Sequence, residues 1–360
     1  MYLKTNKKSN CSGCTTCMNI CPINAIQMVE DKEGFLYPKI DKNKCIKCGA
    51  CIKICPNIKE DTTNSIRATY GVKHKNEKER LTSRSGGVFI ALSDYILNLN
   101  GTVYGAKLNE DFKVFHDRAE TIEQRNEFKG SKYIQSNMNN IAKSVKKDLK
   151  KGKKVLFSGT ACQVAGIKAF IPENLQENLY TCDLICHGVP SQKIFFEFLK
   201  YIEGISGKKI KKFNFRDKSF GWETHYETTI FEDETKLTTQ YFRNLFYGHN
   251  ILRPACYECN YANTHRPADI TIADFWGIEE IAPEFLDQKG VSLTIVNSQK
   301  GEKWIDEIKE DLDIIECDID ECIKHTYTLN QPTPKPDTRG QFWTDYREKD
   351  FEYIIKTYAN

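Results

Sequence analysis

Two runs of cysteine give the sequence its most specific chemical signal. Each run has the spacing C-x-x-C-x-x-C-x-x-x-C-P, which is that of a bacterial two-cluster ferredoxin. Three thiolates of such a run bind one 4Fe-4S cluster, and the fourth, followed by proline, binds the other cluster. The spacing therefore predicts a cluster on each of two ligand sets: Cys11, Cys14, Cys17 and Cys55, and Cys45, Cys48, Cys51 and Cys21.

A zinc ribbon and a disulfide knot are the alternatives for so many cysteines. Zinc sites usually contain two C-x-x-C pairs rather than two quartets with a trailing proline. The beginning of the chain lacks the apolar core of a signal peptide. No stretch approaches the roughly 18 apolar residues that span a bilayer. We therefore expect a cytoplasmic protein without a membrane span, in which cysteines serve as metal ligands rather than in disulfides.

The formal charge of +3 does not indicate a nucleic-acid-binding protein. Each 4Fe-4S cluster with four thiolates carries about −2, so three clusters would shift the charge of the loaded protein by about −6. The lysine-rich segment 143–154 is typical of a solvated helix face. No nucleic-acid partner is expected.

At 360 residues, the chain is long enough for two or three domains. We predict an α+β ferredoxin-like two-cluster domain over residues 1–60, with a hairpin between the cysteine runs. A linker and first strand over 61–80 lead into an α/β domain with a mixed, mainly parallel sheet over 80–330. Residues 331–360 are expected to form a C-terminal tail that wraps the surface.

This fold prediction depends on strand-like and helical segments that alternate after residue 68. The predicted strands are 68–73, a hairpin within 102–114, 154–157, 180–185 and, as the final core strand, 291–296. The predicted helices are 86–99, 137–151, one from residue 163, and 191–202. A hairpin-rich part over 211–241 and a helical region lie between the last helix and the last strand.

A third group of cysteines lies in the second half of the chain. Cys162 and Cys186 each follow a predicted strand, on loops at what should be the same edge of a parallel sheet, where ligand sites form. The pair Cys256 and Cys259 can complete a four-thiolate site. From spacing alone, a cluster, a structural zinc ion and buried inert cysteines all remain open. Cys182 competes with Cys186, since only four residues separate them.

Glycine-containing loops precede three predicted helices. Their sequences are Ser85-Gly86-Gly87, Lys129-Gly130-Ser131-Lys132-Tyr133 and Ser158-Gly159-Thr160. Backbone N–H groups at a helix N-terminus attract phosphate oxygens, and glycine allows a close approach. None of the loops is a Rossmann fingerprint or a P-loop, and each alone is more often a plain turn. Together with iron–sulfur clusters, the three loops favour a flavin dinucleotide.

Beyond the ferredoxin part, the chain resembles the coenzyme F(420) hydrogenase/dehydrogenase beta-subunit family. The resemblance rests on the Cys256/Cys259 pair and on the segments SRSGGVFIALSDYIL, FKGSKYIQS, VLFSGTACQVAGI, DLICHGVPS and ADITIADFWG. These matches extend over about residues 80–280. Many relatives have proline before the cysteine of the SGTxCQ motif, where this chain has Ala161, a change that removes no ligand.

The resemblance implies a flavoprotein with FAD and one further 4Fe-4S cluster. The implied cluster ligands are Cys162, Cys186, Cys256 and Cys259. The implied FAD contacts are Ser85, Gly86, Gly87, Gly130, Ser131, Lys132, Tyr133, Gln135, Ser158, Gly159 and Thr160. His187 is a candidate proton donor near the flavin, although such a histidine more often holds a neighbouring group by a hydrogen bond. Asp274, Phe275 and Trp276 either pack over the cofactor or belong to the core.

These patterns predict an oxidoreductase that passes electrons from a ferredoxin-like donor through 4Fe-4S clusters to FAD. The final acceptor would be an organic small molecule, either coenzyme F(420) or another compound, because the resemblance does not fix the substrate. Two alternatives remain. One is a non-catalytic electron-transfer subunit whose acceptor site lies on a partner subunit, and the other is a ferredoxin fused to a zinc-stabilised binding module.

Overall fold

The computed structural model describes residues 1–58 and 65–359. The predicted linker begins at residue 61 and therefore lies partly outside the described residues. The first domain contains α1 (Tyr2–Thr5), α2 (Thr16–Ile20), β1 (Ile26–Glu30), β2 (Leu36–Ile40) and α3 (Ala50–Lys53). Strands β1 and β2 pair antiparallel with Ile26 opposite Ile40, so the hairpin predicted between the cysteine runs is confirmed.

The two cysteine loops of this domain repeat one backbone conformation. Gly13 and Lys47, each two residues after the first cysteine of its run, have φ values of 79° and 56°. Thr15 and Gly49, two residues later, also lie in the left-handed region, with φ values of 61° and 74°. Thr15 directly precedes α2 and Gly49 directly precedes α3. The duplication visible in the cysteine spacing is thus a duplication of conformation.

The second domain contains the remaining strands and helices. The strands are β3 (Ala68–His74), β4 (Thr102–Leu108), β5 (Val114–Ala119), β6 (Val155–Thr160), β7 (Leu179–Leu184), β8 (Ile210–Asn214), β9 (Glu227–Phe231), β10 (Lys236–Thr239), β11 (Ile270–Asp274), β12 (Ser292–Val296) and β13 (Leu312–Glu316). The helices are α4 (Glu77–Thr82), α5 (Val88–Asn98), α6 (Ile122–Asn126), α7 (Ile141–Lys150), α8 (Ala161–Phe170), α9 (Gln192–Ser206), α10 (Tyr241–Tyr247), α11 (Ile278–Ile281), α12 (Gln299–Ile308), α13 (Ile319–Lys324), α14 (Arg339–Glu348) and α15 (Phe351–Tyr358).

Eight of the described strands form one mixed sheet in the order β13-β3-β12-β11-β7-β6-β4-β5. The four strands β11, β7, β6 and β4 run parallel and form its centre. The outer strands pair antiparallel on both sides. The predicted α/β domain with a mixed sheet and a parallel core is therefore confirmed. Because parallel strands end at the same edge, the carboxyl ends of β6, β7 and β11 lie together.

Helices cover both faces of this sheet. Val103 and Leu156 pack with α5 and α12 on one face. Their neighbours in sequence, Tyr104 and Phe157, pack with α7 and α8 on the other face. Successive side chains of a strand alternate between faces, so these short apolar strands supply two hydrophobic layers at once.

The C-terminal segment differs from the expected surface tail. Its helices α14 and α15 bury Phe342, Trp343, Ile354 and Ile355 in the cluster that also holds α9 and the small sheet β10-β9-β8. Phe342 and Ile354 are fully buried. The proline and charge of residues 333–337 hid an apolar pattern that follows them, and this pattern forms part of the core.

Two strands were not predicted. Strand β11 lies within the segment predicted to be helical, and β13 follows β12, which was expected to be the final core strand. Strand β13 pairs with β3 at the sheet edge, where only long-range pairing defines it. Among the described residues, no helix is both long and apolar enough to cross a membrane.

Candidate functional site

The ligand set predicted for one cluster comes together on the inner side of the ferredoxin-like domain. Burial raises the pKa of Cys17, and the other three thiols of the set raise it further. Burial likewise raises the pKa of Cys55 to about 11, with smaller contributions from Cys14 and Cys11. The crossover partner Cys55 therefore lies with the first cysteine run, as the spacing predicts. We call Cys11, Cys14, Cys17 and Cys55 the inner set.

The other four cysteines of this domain form an outer set, Cys21, Cys45, Cys48 and Cys51. All four line one small cavity whose remaining wall is mainly apolar and includes Ile26 and Ile40. Burial raises the pKa of Cys51, and the neighbouring thiols of the set add to the shift. The backbone N–H of Ala25 donates to Cys21 Sγ at 3.2 Å. An apolar cavity lined by four thiols has the donor chemistry that a 4Fe-4S cluster requires.

A third set comprises Cys162, Cys186, Cys256 and Cys259. Burial raises the pKa of Cys162 to about 12 and that of Cys186 to about 11, and Cys259 adds to both shifts. Burial raises the pKa of Cys256 in the same way, with further contributions from the other three thiols. The structure thus brings together the four cysteines that the family resemblance implies.

Each sulfur of the third set has a hydrogen-bond donor within reach. The Gly188 N–H donates to Cys186 Sγ at 3.3 Å, and the Val189 N–H donates to Cys256 Sγ at 3.4 Å. The remaining contacts are Tyr261 N–H to Cys259 Sγ at 3.4 Å and Thr160 Oγ1 with Cys162 Sγ at 3.1 Å. Hydrogen bonds to sulfur stabilise thiolate charge and tune iron–sulfur clusters. Four buried thiolates also need a cationic core to offset their mutual repulsion.

A single zinc ion fits these thiols less well than a cluster. Zinc requires ligands that converge to about 2.3 Å from one point. Within residues 1–58 and 65–359, no three His, Cys, Asp or Glu side chains are arranged to hold a single metal ion. All fifteen cysteines are free thiols. The thiol sets therefore have the wider spacing that suits a polynuclear cluster.

The remaining cysteines are placed in apolar surroundings. Cys182 is fully buried on β7 and packs in the core beside α5 and α12. Burial raises its pKa, and the groups that influence it are Asp183, Ser158 and Asp269 rather than the third set. Cys186, beyond the end of β7, lies with the third set instead. Cys317 and Cys322 belong to an apolar cluster under the sheet edge.

The start of α8 places Cys162 differently from the sequence prediction. The helix begins at Ala161, so Cys162 lies in its first turn rather than on a loop. Thr160 and Gln163 form a reciprocal capping box, a pattern readable in the sequence T-A-C-Q. This cap holds the end of β6 rigidly against the helix that carries the thiol.

A cavity of about 300 Å³ opens at the carboxyl edge of the sheet, and all three glycine-containing loops line it. Of the predicted cofactor contacts, those on its wall are Ser85, Gly87, Gly130, Ser131, Lys132, Tyr133, Ser158, Gly159 and Thr160. Gly86 and Gln135 do not line it. The Gly86 N–H instead donates to Ser292 Oγ at 2.9 Å, and Gln135 Nε2 donates to Ser12 O at 3.0 Å.

Two lysines order the loops around this cavity. The ammonium of Lys132 donates to the carbonyls of Glu127 and Lys129, and burial lowers its pKa to about 7. Lys218 Nζ donates to the carbonyl oxygens of Arg80, Ser83 and Ser85 at 2.8 to 3.2 Å. Lys218 therefore fixes the turn that leads into α5, a role that no local sequence pattern indicates.

The cavity wall also contains an arginine–aspartate pair that the sequence did not assign. Arg216 Nη1 lies 2.5 Å from Asp274 Oδ2, and Arg84 lies 3.9 Å from the same carboxylate. Trp276 lines the cavity and stacks on Trp222, with ring centroids 5.3 Å apart. Phe275 is fully buried and belongs to the core. Of the three residues left open at 274–276, two therefore face the cavity.

His187 lines the cavity beside Cys186. Its Nδ1 lies 3.2 Å from the Tyr327 hydroxyl, and its backbone carbonyl accepts a hydrogen bond from Thr333 Oγ1. Burial lowers the pKa of His187 to about 4, so its imidazole is neutral near pH 7. A second histidine on the wall, His116, bonds Ser136 and the carbonyl of Ser158.

The inner set directly adjoins the third set through Gly166. A Cβ at Gly166 would lie 2.8 Å from Cys14 Cβ and 2.7 Å from Thr16 Oγ1, so only glycine lets α2 approach α8 this closely. Cys162 lies four residues earlier on α8, one helical turn away on the same side. Cys14 is also among the groups that raise the pKa of Cys162. The third set in turn reaches the cavity, because Cys186 lines it.

Comparison with known families agrees with this two-domain arrangement. Residues 10–57 match the family described as 4Fe-4S dicluster domain. Residues 152–321 match the family described as the C terminus of the coenzyme F(420) hydrogenase/dehydrogenase beta subunit. No curated protein sequence matches the chain.

Among solved structures, the chain is similar to one from the F(420)-reducing NiFe hydrogenase complex of Methanosarcina barkeri, determined with xenon derivatization. The alignment covers 83% of this chain and 94% of that chain, with a TM-score of 0.51 and 16% identity. At this identity, the likeness concerns the fold. The family matches assign the parts: the first domain is a 4Fe-4S dicluster domain, and the second belongs to the coenzyme F(420) hydrogenase/dehydrogenase beta-subunit family.

Proposed function

We propose that this protein is an iron–sulfur flavoprotein oxidoreductase that carries electrons from an external donor to an organic small molecule. The observation that carries the proposal is the continuous line of sites: outer set, inner set, third set and cavity. Cys186 belongs both to the third set and to the cavity wall. When bound, the clusters would supply one-electron transfer, and FAD would couple it to two-electron chemistry on the acceptor.

The three thiol sets supply the ligands for twelve irons in this proposal. The inner and outer sets exchange their fourth cysteines, so Cys21 and Cys55 hold the two sites at a fixed separation. Gly166 allows close packing between the inner set and the third set. A protein that aligns thiol sets in this way needs no domain motion for electrons to reach the cavity.

The cavity wall supports the choice of a flavin dinucleotide. Helix α5 begins at Gly87 without a side-chain cap, and Gly87, Val88 and Phe89 line the cavity. An uncapped helix N-terminus next to glycine is suited to a pyrophosphate. At Gly159, a Cβ would lie 2.9 Å from Gln163 Oε1 and 3.1 Å from His116 Nε2, so glycine keeps this part of the wall flat. Lys132 and Lys218 hold the two other turns in place.

The test is the cofactor content and electron transfer of the anaerobically purified protein. We expect about twelve irons, in line with three clusters, and one FAD per chain. Replacement of Cys256 and Cys259 by serine should remove about four irons, leave the inner and outer clusters intact and stop flavin reduction. Cys317→Ser, at a thiol outside all three sets, is the matched control. Eight irons with zinc and no flavin in the unaltered protein, or unchanged flavin reduction in the double variant, would contradict the proposal.

A second candidate function is an electron-transfer subunit within a larger complex. The observation that favours it is the structural similarity to a chain of a hydrogenase complex. Turnover by the purified chain alone separates the two functions. A screen of F(420) and other acceptors should find flavin reoxidation if this chain is the enzyme. Reoxidation only after addition of a partner subunit would assign it the subunit role.

A further inference from the structure

The outer set differs from the other thiol sets in its exposure to solvent. Cys48 is the one exposed cysteine of the fifteen in the chain, all of which are described. Its neighbour Ile46 is 64% exposed, an unusual fraction for a large apolar side chain. At Gly49, a Cβ would meet no atom within 4 Å. This loop therefore forms an uncovered surface directly above a predicted cluster ligand.

Lysines surround this loop, and we call residues 39–53 the outer face. Its exposed lysines are Lys39, Lys42, Lys44, Lys47 and Lys53. The single acid of the same segment is Asp41, which lies 3.8 Å from Lys44. A cluster with four thiolates contributes about −2, so the outer face keeps a net positive charge when loaded. The face thus presents an apolar centre, Ile46, within a ring of cations.

We propose that the outer face is the docking surface of a small acidic electron-transfer protein, which exchanges electrons through the cluster at Cys48. The proposal rests on the proposed function, because it requires a cluster on the outer set. Its own observation is the charge of the face, which complements an acidic surface and repels a basic one.

The composition of the face fits a transient encounter rather than a permanent contact between subunits. Permanent interfaces are large and apolar at their centre, and lysine is depleted in them. Here, one exposed isoleucine is surrounded by lysines. Small charged interfaces of this kind allow fast, salt-sensitive association and quick release. Such kinetics suit a donor that must dock, exchange an electron and leave.

The experiment measures binding of a small acidic two-cluster ferredoxin to the iron-loaded protein. The test variant carries Lys42→Glu, Lys47→Glu and Lys53→Glu. The control variant carries Lys303→Glu and Lys309→Glu on and next to α12, exposed positions on the second domain. At low ionic strength, we expect the test variant to bind at least about tenfold more weakly, and the control to bind like the unaltered protein. Added salt should weaken binding to the unaltered protein and bring the two variants together.

Iron content and dithionite reduction of the flavin are measured on the same samples. If they are normal while the lysine variant binds as tightly as the control, the docking proposal is wrong and the proposed function stands. Salt-independent binding by the unaltered protein would also overturn it. Missing outer-set iron in the unaltered protein would instead overturn the proposed function. A basic redox protein should show the reverse order, with tighter binding to the lysine-to-glutamate variant.

Discussion

The two cysteine loops of the ferredoxin-like domain have the same backbone and opposite surroundings. Gly13 of the first loop and Lys47 of the second occupy equivalent left-handed positions. A Cβ at Gly13 would lie 2.4 Å from Gln135 Nε2 and 3.0 Å from Arg253 Nη1, whereas the Lys47 side chain is exposed. The second domain covers the first loop and leaves the second open. One duplicated unit thus provides an internal contact and an external one.

This difference teaches that the residue types in the two loops report their neighbours rather than their own conformation. Both positions require φ > 0, which lysine tolerates in the outer loop at the usual cost of that region. The inner loop contains glycine because the second domain occupies the space of any side chain. The covering residues, and not the cysteines, therefore make one cluster site internal.

Arg253 contributes most to that covering, so its loss should give the largest effect. The side chain is fully buried and donates to Cys11 O at 2.6 Å, Leu36 O at 2.9 Å and Gln135 Oε1 at 2.8 Å. Arg253→Ala leaves buried acceptors without their donor, and we expect a loss of about 3–5 kcal/mol in the free energy of unfolding. Denaturant titration of the iron-loaded protein measures it.

Lys47→Ala is the matched change on the open loop. Because that side chain is exposed, this variant should unfold like the unaltered protein. Equal stability of the Arg253→Ala and Lys47→Ala proteins would mean that the second domain does not stabilise the inner loop.

Adding a methyl group at the paired glycines sharpens the comparison with a smaller change. Gly13→Ala and Gly49→Ala both place alanine in the left-handed region, at a cost of about 1–2 kcal/mol each. Only Gly13→Ala also collides with Gln135 and Arg253, and such overpacking adds about 1–3 kcal/mol. Unfolding free energies of the two variants measure the difference. Equal losses at both positions would show that Gln135 and Arg253 yield freely to the added methyl group.

Much of this arrangement is readable from the sequence, because cluster ligation is local. The cysteine spacing specified which thiols gather in the inner and outer sets, including the crossover of Cys21 and Cys55. Strand and helix patterns specified the parallel core, since each buried strand is short, apolar and followed by a helix. The capping box at Thr160 and Gln163 was also readable, and it would have placed Cys162 in a helix.

The residues that join the two domains were not readable. Arg253 meets Cys11 across 242 positions of the chain, and Gly166 meets Thr16 across 150. Neither residue belongs to a local motif, so only the folded structure reveals its role. Strand β13 and helices α14 and α15 were missed for the same reason, because their partners β3 and α9 lie far away in sequence.

The smallest expected effect concerns Gly166, the contact between the inner and third sets. Gly166→Ala must move α2 or α8, because its Cβ would lie 2.8 Å from Cys14 Cβ. The overpacking cost of about 1–3 kcal/mol is partly offset by the gain in helix propensity of about 0.5–1 kcal/mol. We therefore expect a net loss of about 1–2 kcal/mol in unfolding free energy, together with slower flavin reduction by dithionite-reduced clusters.

Gly204→Ala in α9 provides the matched helix position, where a Cβ would meet no atom within 4 Å. That variant receives the propensity gain without the collision, so its stability should rise by about 0.5–1 kcal/mol while its rate of flavin reduction stays unchanged. The sign of the difference between the two variants is decisive. If Gly166→Ala stabilises the protein as Gly204→Ala does, the inner loop does not press on α8. The line of thiol sets would then lack its central contact, and the covered loop would differ from the open one only in exposure.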